Sequence, residues 1–201
     1  RGGLGLVNIV ASMVFGGISG SSVSDTASIG AVLIPEMVEK GYTKEFSSGI
    51  TVASSTMGMI IPPSIPVVIY ALVAEASVGK LFLGTAIPGV MIGFIMIGIT
   101  LIIAWIYKHP KEDVSLSRRE IIITIQRSIL AVIMPLFIIG AVVLGIATAT
   151  ESAAIGLLYA LIVGLLVFRT VRLKAVFPLL RKAIITSATV MIIIALSKIY
   201  I

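Results

Sequence analysis

The chain is apolar almost throughout, and two short stretches interrupt it: Gly16-Gly17-Ile18-Ser19-Gly20-Ser21-Ser22-Val23-Ser24-Asp25-Thr26 and Ile60-Ile61-Pro62-Pro63-Ser64-Ile65-Pro66. Such Gly, Ser and Pro runs are ordinary in soluble loops. Inside hydrocarbon each unpaired backbone N–H or C=O costs several kcal/mol. Two breaks in one membrane chain therefore imply backbone and hydroxyl oxygens kept free to hold something. The pattern points to transport.

Hydrophobic residues make up 58% of the 201 and charged residues 12%, against roughly a quarter charged in soluble domains. Apolar stretches at 81–107, 129–147, 152–168 and 183–196 approach the ~20 residues a spanning helix needs. An all-α polytopic fold in a lipid bilayer is expected. With no cysteine, disulfides and thiolate metal sites are excluded. The net charge of +6 does not indicate nucleic acid, because the basic residues gather at membrane edges. Placing that edge in the cytoplasm puts every Lys and Arg inside except Lys80 and Lys198, as the positive-inside tendency requires. A multi-pass protein of a bacterial or archaeal cytoplasmic membrane is expected. The chain lacks an initiator Met and stops within an apolar run, so it is expected to be part of a longer protein.

Two apolar arms, 4–17 and 25–38, flank the first break. Each has 14 residues, about 21 Å of helix against a hydrocarbon core of about 30 Å. Charged residues sit at both outer ends, so the pair is expected to form a re-entrant helical hairpin, 4–38, with its tip inside the membrane. The next pass, 43–74, is a discontinuous helix, since Pro62 and Pro63 must stop or kink it after its first part, 45–61. That break lies about 25 Å from the same face, a depth at which it can meet the tip. Helix 81–107 returns, completing a first region, 1–107. A polar connector, 108–128, includes an amphipathic surface helix at 114–127. Spans at 129–147 and 150–168, a basic surface segment at 169–182 and a further crossing from 183 make up the remainder, 129–201.

At the tip, Gly20, Ser21 and Ser22 offer hydroxyls and unobstructed backbone. The second arm starts near Ser24-Asp25 with the positive end of its helix dipole toward the tip. Ser22-Val23-Ser24-Asp25 also reads as a capping box, with Ser22 as N-cap and Asp25 at N3. A carboxylate so deep needs a partner in either case. Near the prolines, Thr56, Gly58, Pro62 and Ser64 supply carbonyl and hydroxyl oxygens suited to a hard cation such as sodium. The expected sodium set is Gly20, Ser21, Ser22, Thr56, Gly58, Pro62 and Ser64. The expected substrate contacts are Ser22, Ser24, Asp25 and Ser64. Thr148-Ala149-Thr150-Glu151 fits a second capping box. Gly17-Ile18-Ser19-Gly20 matches a Gly-x-Ser-Gly protease pattern. That serine needs a buried base, and the single histidine, His109, lies in a charged loop. No enzyme activity is expected.

In order along the chain come Ser19-Gly20-Ser21-Ser22 with Asp25, Gly30, Ile34-Pro35, Gly41-Tyr42, Ile60-Ile61-Pro62-Pro63-Ser64-Ile65, Tyr70, Leu81-Phe82 and Pro88-Gly89. Gly145-Ile146-Ala147-Thr148-Ala149-Thr150-Glu151-Ser152-Ala153-Ala154 follows. This series resembles the large membrane subunit of TRAP transporters. Two departures are Ser24, where the family often has Ala, and Ala149, which replaces a Pro.

The resemblance implies sodium-driven uptake of an organic acid, such as a dicarboxylate or sugar acid, by the ion-transporter-superfamily elevator mechanism. Sodium would be the coupling ion, without an organic cofactor. The implied partners are a small membrane subunit and a periplasmic substrate-binding protein. It further implies two inverted repeats, the second beginning within 129–201. A single-component sodium/dicarboxylate symporter and a non-transporting membrane scaffold are the alternative readings.

Overall fold

The computed structural model describes residues 2–110, 118–170 and 173–197. Every regular element among them is helical. The chain divides into two compact units, Arg1–Ser152 and Ala153–Ile201.

The first unit is built around a helical hairpin and a broken helix. Helix α1 (Gly3–Ser19) and helix α2 (Ser22–Glu39) are joined by Gly20 and Ser21 alone. The 11-residue break read from sequence thus narrows to two residues. Gly16 to Ser19 remain helical because the α1 ladder continues to Gly20, whose amide donates to the Gly16 carbonyl at 3.0 Å. Gly20 then reverses the chain at φ +63°, a left-handed conformation that suits glycine. The arms have 17 and 18 residues, about 26 and 27 Å at 1.5 Å per residue. They exceed the expected 21 Å by about one turn.

Thr43 caps helix α3 (Lys44–Ser55), accepting from the Phe46 amide at 3.2 Å. The helix tightens into a 3₁₀ turn (Thr56–Met59), and irregular chain follows until helix α4 (Ile65–Val73). Regular α-helix therefore ends six residues before Ile61, where the sequence reading placed its end. The residue before a proline disfavours the α region, and a proline ring also crowds the preceding turn. Pro62-Pro63 imposes this twice, so the distortion spreads backward.

Helix α5 (Val78–Ile106) is long and apolar enough to cross a membrane. It buries Phe82 near its start and Gly89, Gly93, Thr100 and Ala104 beyond it, yet exposes Ile87, Phe94, Ile102 and Trp105. From Gly89 onward, small residues inside and large ones outside are the membrane arrangement, where close backbone approach drives packing and lipid covers the bulk. Gly93 shows the fit: a Cβ there would stand 2.5 Å from the Met13 sulfur. The core beneath consists of Leu4, Ile9, Met37, Tyr42, Ile50 and Met57.

Helix α6 (Arg118–Val143) is continuous. Residues 118–127 therefore run directly into the apolar segment rather than forming a separate surface helix; 114–117 of that expected helix lie outside the described residues. Its Pro135 is buried close to Gly17. Thr148 and Glu151 form the expected reciprocal cap: the Thr148 amide donates to Glu151 Oε2 at 2.8 Å, and the Glu151 amide donates to Thr148 Oγ1 at 3.3 Å. Helix α7 (Ala149–Ile162) starts there and runs into the second unit.

In the second unit, α7 continues through a π-helical turn (Val163–Val167). Helix α8 (Leu173–Ser197) then runs without interruption. Its first part takes in residues expected to form a separate basic surface segment. Among the described residues, Ala149–Val167 and Lys174–Leu196 join Val78–Ile106 as segments long and apolar enough to span a bilayer.

Candidate functional site

The two breaks meet. The Ile65 amide donates to the Gly20 carbonyl at 3.2 Å, linking the hairpin tip to the start of α4. Glycines make this approach possible. A Cβ on Gly16 would stand 2.7 Å from the Gly58 Cα, and one on Gly20 would stand 2.9 Å from the Pro63 carbonyl oxygen. Real Cβ atoms do not approach so closely, so larger residues would hold tip and break apart. The Pro62 carbonyl oxygen lies 3.4 Å from the corresponding position on Gly17.

Serines cap both helices at this junction. Ser21 accepts from the Ser24 amide at 3.5 Å, and Ser64 accepts from the Val67 amide at 3.5 Å. The N-terminal ends of α2 and α4 thus lie together, each carrying partial positive charge. The cap on α2 is Ser21, not Ser22, one residue earlier than expected. Asp25 consequently sits at the fourth helical position, beyond the reach of a capping box.

Asp25 instead turns its carboxylate inward and is fully buried. Oδ1 accepts a hydrogen bond from Ser19 Oγ. Oδ2 is buried against Gly58 and near Gly16, with no hydrogen-bond partner among the described residues. Ser19 has a second role, since its Oγ accepts from the Ser21 amide at 3.1 Å and so shapes the turn. An unpaired buried carboxylate oxygen is costly, and a cation would offset that cost.

The expected site residues separate into three groups. Gly20, Gly58, Pro62, Ser64 and Asp25 are all buried, and each belongs to the tip, the break or the first turn of α2. Ser64 is committed twice, donating to the Met59 carbonyl at 2.6 Å as well as capping α4. Ser21 and Ser22 are half-buried at the tip. Thr56 and Ser24 are exposed, and the Thr56 hydroxyl bonds back to the Ala53 carbonyl at 2.7 Å.

Ser19 and Gly16 belong to the junction but were absent from the expected set. Their roles depend on the two-residue turn that only the structure defines, which brings Ser19 to Asp25, six residues on. Also missed was a buried polar seam joining α1 to α3. Asn8 Nδ2 donates to Thr51 Oγ1 at 2.7 Å, Ser54 Oγ donates to Asn8 Oδ1 at 3.2 Å, and the Ser12 and Ser54 hydroxyls lie 2.8 Å apart. The seam satisfies its members and fastens the first arm to the helix that carries the break. Asn8 and Ser12, four apart, face the Ser47, Thr51, Ser54 stripe, and that spacing was legible.

The family profile "Tripartite ATP-independent periplasmic transporter, DctM component" matches residues 1–201. The chain is 37% identical over 174 residues to the C4-dicarboxylate TRAP transporter large permease protein DctM of Pseudomonas aeruginosa, covering 87% of this chain and 40% of that protein. It is 36% identical to the sialic acid TRAP transporter large permease protein SiaM of Vibrio cholerae, covering 96% of this chain and 45% of that protein. Against the 2,3-diketo-L-gulonate TRAP transporter large permease protein YiaN of Escherichia coli identity is 31%, covering 98% of this chain and 46% of that protein. The chain thus spans less than half the length of these relatives.

Proposed function

The chain belongs to the DctM component family of tripartite ATP-independent periplasmic transporters, and from that membership we propose that it is part of the large permease subunit of a sodium-driven organic-acid uptake system. Transport would take place in the cytoplasmic membrane, with a small membrane subunit and a periplasmic substrate-binding protein. C4-dicarboxylate, sialic acid and 2,3-diketo-L-gulonate, named for the three relatives, share a carboxylate. An organic acid is therefore the proposed substrate class.

The observation that carries the proposal is the buried, unpartnered Asp25 Oδ2 at the junction of tip and break. Around the junction stand the carbonyls of Gly20, Pro62 and Pro63. An all-oxygen donor set suits a hard ion. One carboxylate among neutral carbonyls matches a single positive charge, which favours sodium over a divalent metal. The converging N-termini of α2 and α4 suit the substrate carboxylate. In this reading Ser22, Ser24 and Ser64 serve the substrate. Gly20, Ser21, Ser22, Thr56, Gly58, Pro62 and Ser64 form the wider ion set, with Asp25 added to it.

The α1–α2 pair acts as a re-entrant hairpin entering from the basic face, its tip level with the Pro62-Pro63 break. Sodium would hold tip and break together, and the loaded unit would then move as an elevator. The Asn8–Thr51–Ser54 seam supports this, because it makes the arm and the broken helix one body. Uptake by the complete system tests the site. Ser22→Ala and Ser64→Ala should each sharply reduce sodium-dependent transport; unchanged sodium dependence in both would remove the site assignment.

A further inference from the structure

His109 closes a corner that the transport site does not use. Its ring packs edge-on against Phe46, with centroids 4.4 Å apart, and against Tyr42 at 5.1 Å. Its amide donates to the Ala104 carbonyl at 3.1 Å. The next residue, Pro110, accepts from the Gly2 amide at 3.4 Å and lies against Gly41. The start of α1, the α2–α3 turn and the end of α5 are thus fastened together through two consecutive residues. This corner is the base of the hairpin, at the end remote from the tip.

The clasp favours the neutral state of the ring. Among the described residues, no hydrogen-bond partner reaches the buried Nδ1. A neutral imidazole protonated on Nε2 leaves Nδ1 as a bare acceptor, at modest cost. The imidazolium has an N–H on both nitrogens, which would bury an unsatisfied charged donor.

Among the described residues, the charged and titratable groups on the packed elements do not relieve this. Lys40, Lys44, Glu39 and Glu45 around the α2–α3 turn, and Tyr107 and Lys108 on the histidine's own stretch, are all exposed. Tyr42 presents its ring. Arg1, Lys111, Glu112 and Asp113 lie outside the described residues. Burial accordingly holds the His109 pKa below its ordinary value.

We infer that the His109 clasp is a proton-sensitive latch on the base of the hairpin, closed when the imidazole is neutral and released when it is protonated. The sign follows from linkage. The open form titrates near the ordinary histidine pKa of about 6.5, and the closed form titrates lower. The latch is therefore at full strength above about pH 6.5 and weakens as pH falls toward the lowered value. Release would uncouple α5 from the base of α1–α2, so acidifying the basic face would slow uptake, a consequence that rests on the transport reading.

Hydrogen exchange on the full-length permease tests the latch without reference to transport. After correction for the chemical pH dependence of exchange, amides of 40–47 and 105–110 should open more as pH falls from 7.5 to 5.5. The limit is about tenfold per pH unit for one linked proton. His109→Phe, which keeps the ring contacts, and His109→Gln, which does not, should both abolish this response. A flat wild-type profile, or a response that survives both substitutions, would overturn the latch. Opening with unaltered transport would leave the latch standing and remove only its transport consequence.

Discussion

The backbone of Ile65 binds the backbone of Gly20 at 3.2 Å, so the hairpin tip and the helix break form one structure. Side chains do not make this link. It depends on how closely two glycine-bearing turns approach, and most of the predictions turn on that approach.

Gly20→Ala should damage the junction in two ways. The new Cβ would stand 2.9 Å from the Pro63 oxygen. The residue would also keep a positive φ, which costs a non-glycine residue about 1–2 kcal/mol. Gly49→Ala and Gly84→Ala meet nothing within 4 Å and are helical. They should be neutral or stabilising by up to about 1 kcal/mol. Thermal unfolding and uptake of the three variants should separate Gly20 from the other two.

Gly58→Ala places its Cβ on the Asp25 carboxylate. The carboxylate must move, so the half-saturating sodium concentration for uptake should rise severalfold. Asp25→Asn should raise it further, because the amide keeps the shape and removes the charge. Sodium titrations of initial uptake rates check both.

Asn8→Ala removes two buried hydrogen bonds, those to Thr51 and Ser54, each worth about 0.5–1.5 kcal/mol, while Ser54 keeps Ser12 and Thr51 keeps the Ser47 carbonyl. Replacing the seam together, Asn8→Leu with Ser12→Ala, Thr51→Val and Ser54→Ala, should recover most of that loss, since apolar groups of similar shape demand no hydrogen bonds. Thermal unfolding of the purified permease measures both. Failure of the combined variant to recover stability would mean that the seam does more than satisfy its own polar atoms.

The meeting of tip and break was legible because it follows from arm length, terminal charge and the position of Pro62-Pro63. The extent of each break was not. Glycine and serine are weak helix breakers, and tertiary contact between Gly16 and Gly58 keeps the α1 ladder intact to its end. Three serines close together, Ser21, Ser22 and Ser24, offered no local basis for choosing the cap. The choice is fixed by Ser19, which holds the Ser21 amide and reaches Asp25 across the turn. Proline was read as acting at its own position, although its effect reached back to Thr56. The connector was read from charge alone, and charge does not stop a helix at residue 128.

Protection of the tip by sodium tests the central claim most directly. An Ile18→Cys substitution, in a full-length permease carrying no other thiol, places a half-buried reporter in the last turn of α1, beside the tip. Maleimide should label it more slowly in sodium than in potassium at equal ionic strength. The half-effect should fall at the sodium concentration that half-saturates uptake, and adding Asp25→Asn should erase the difference. Equal labelling rates in the two salts, with sodium-dependent uptake intact, would contradict a sodium ion held between tip and break.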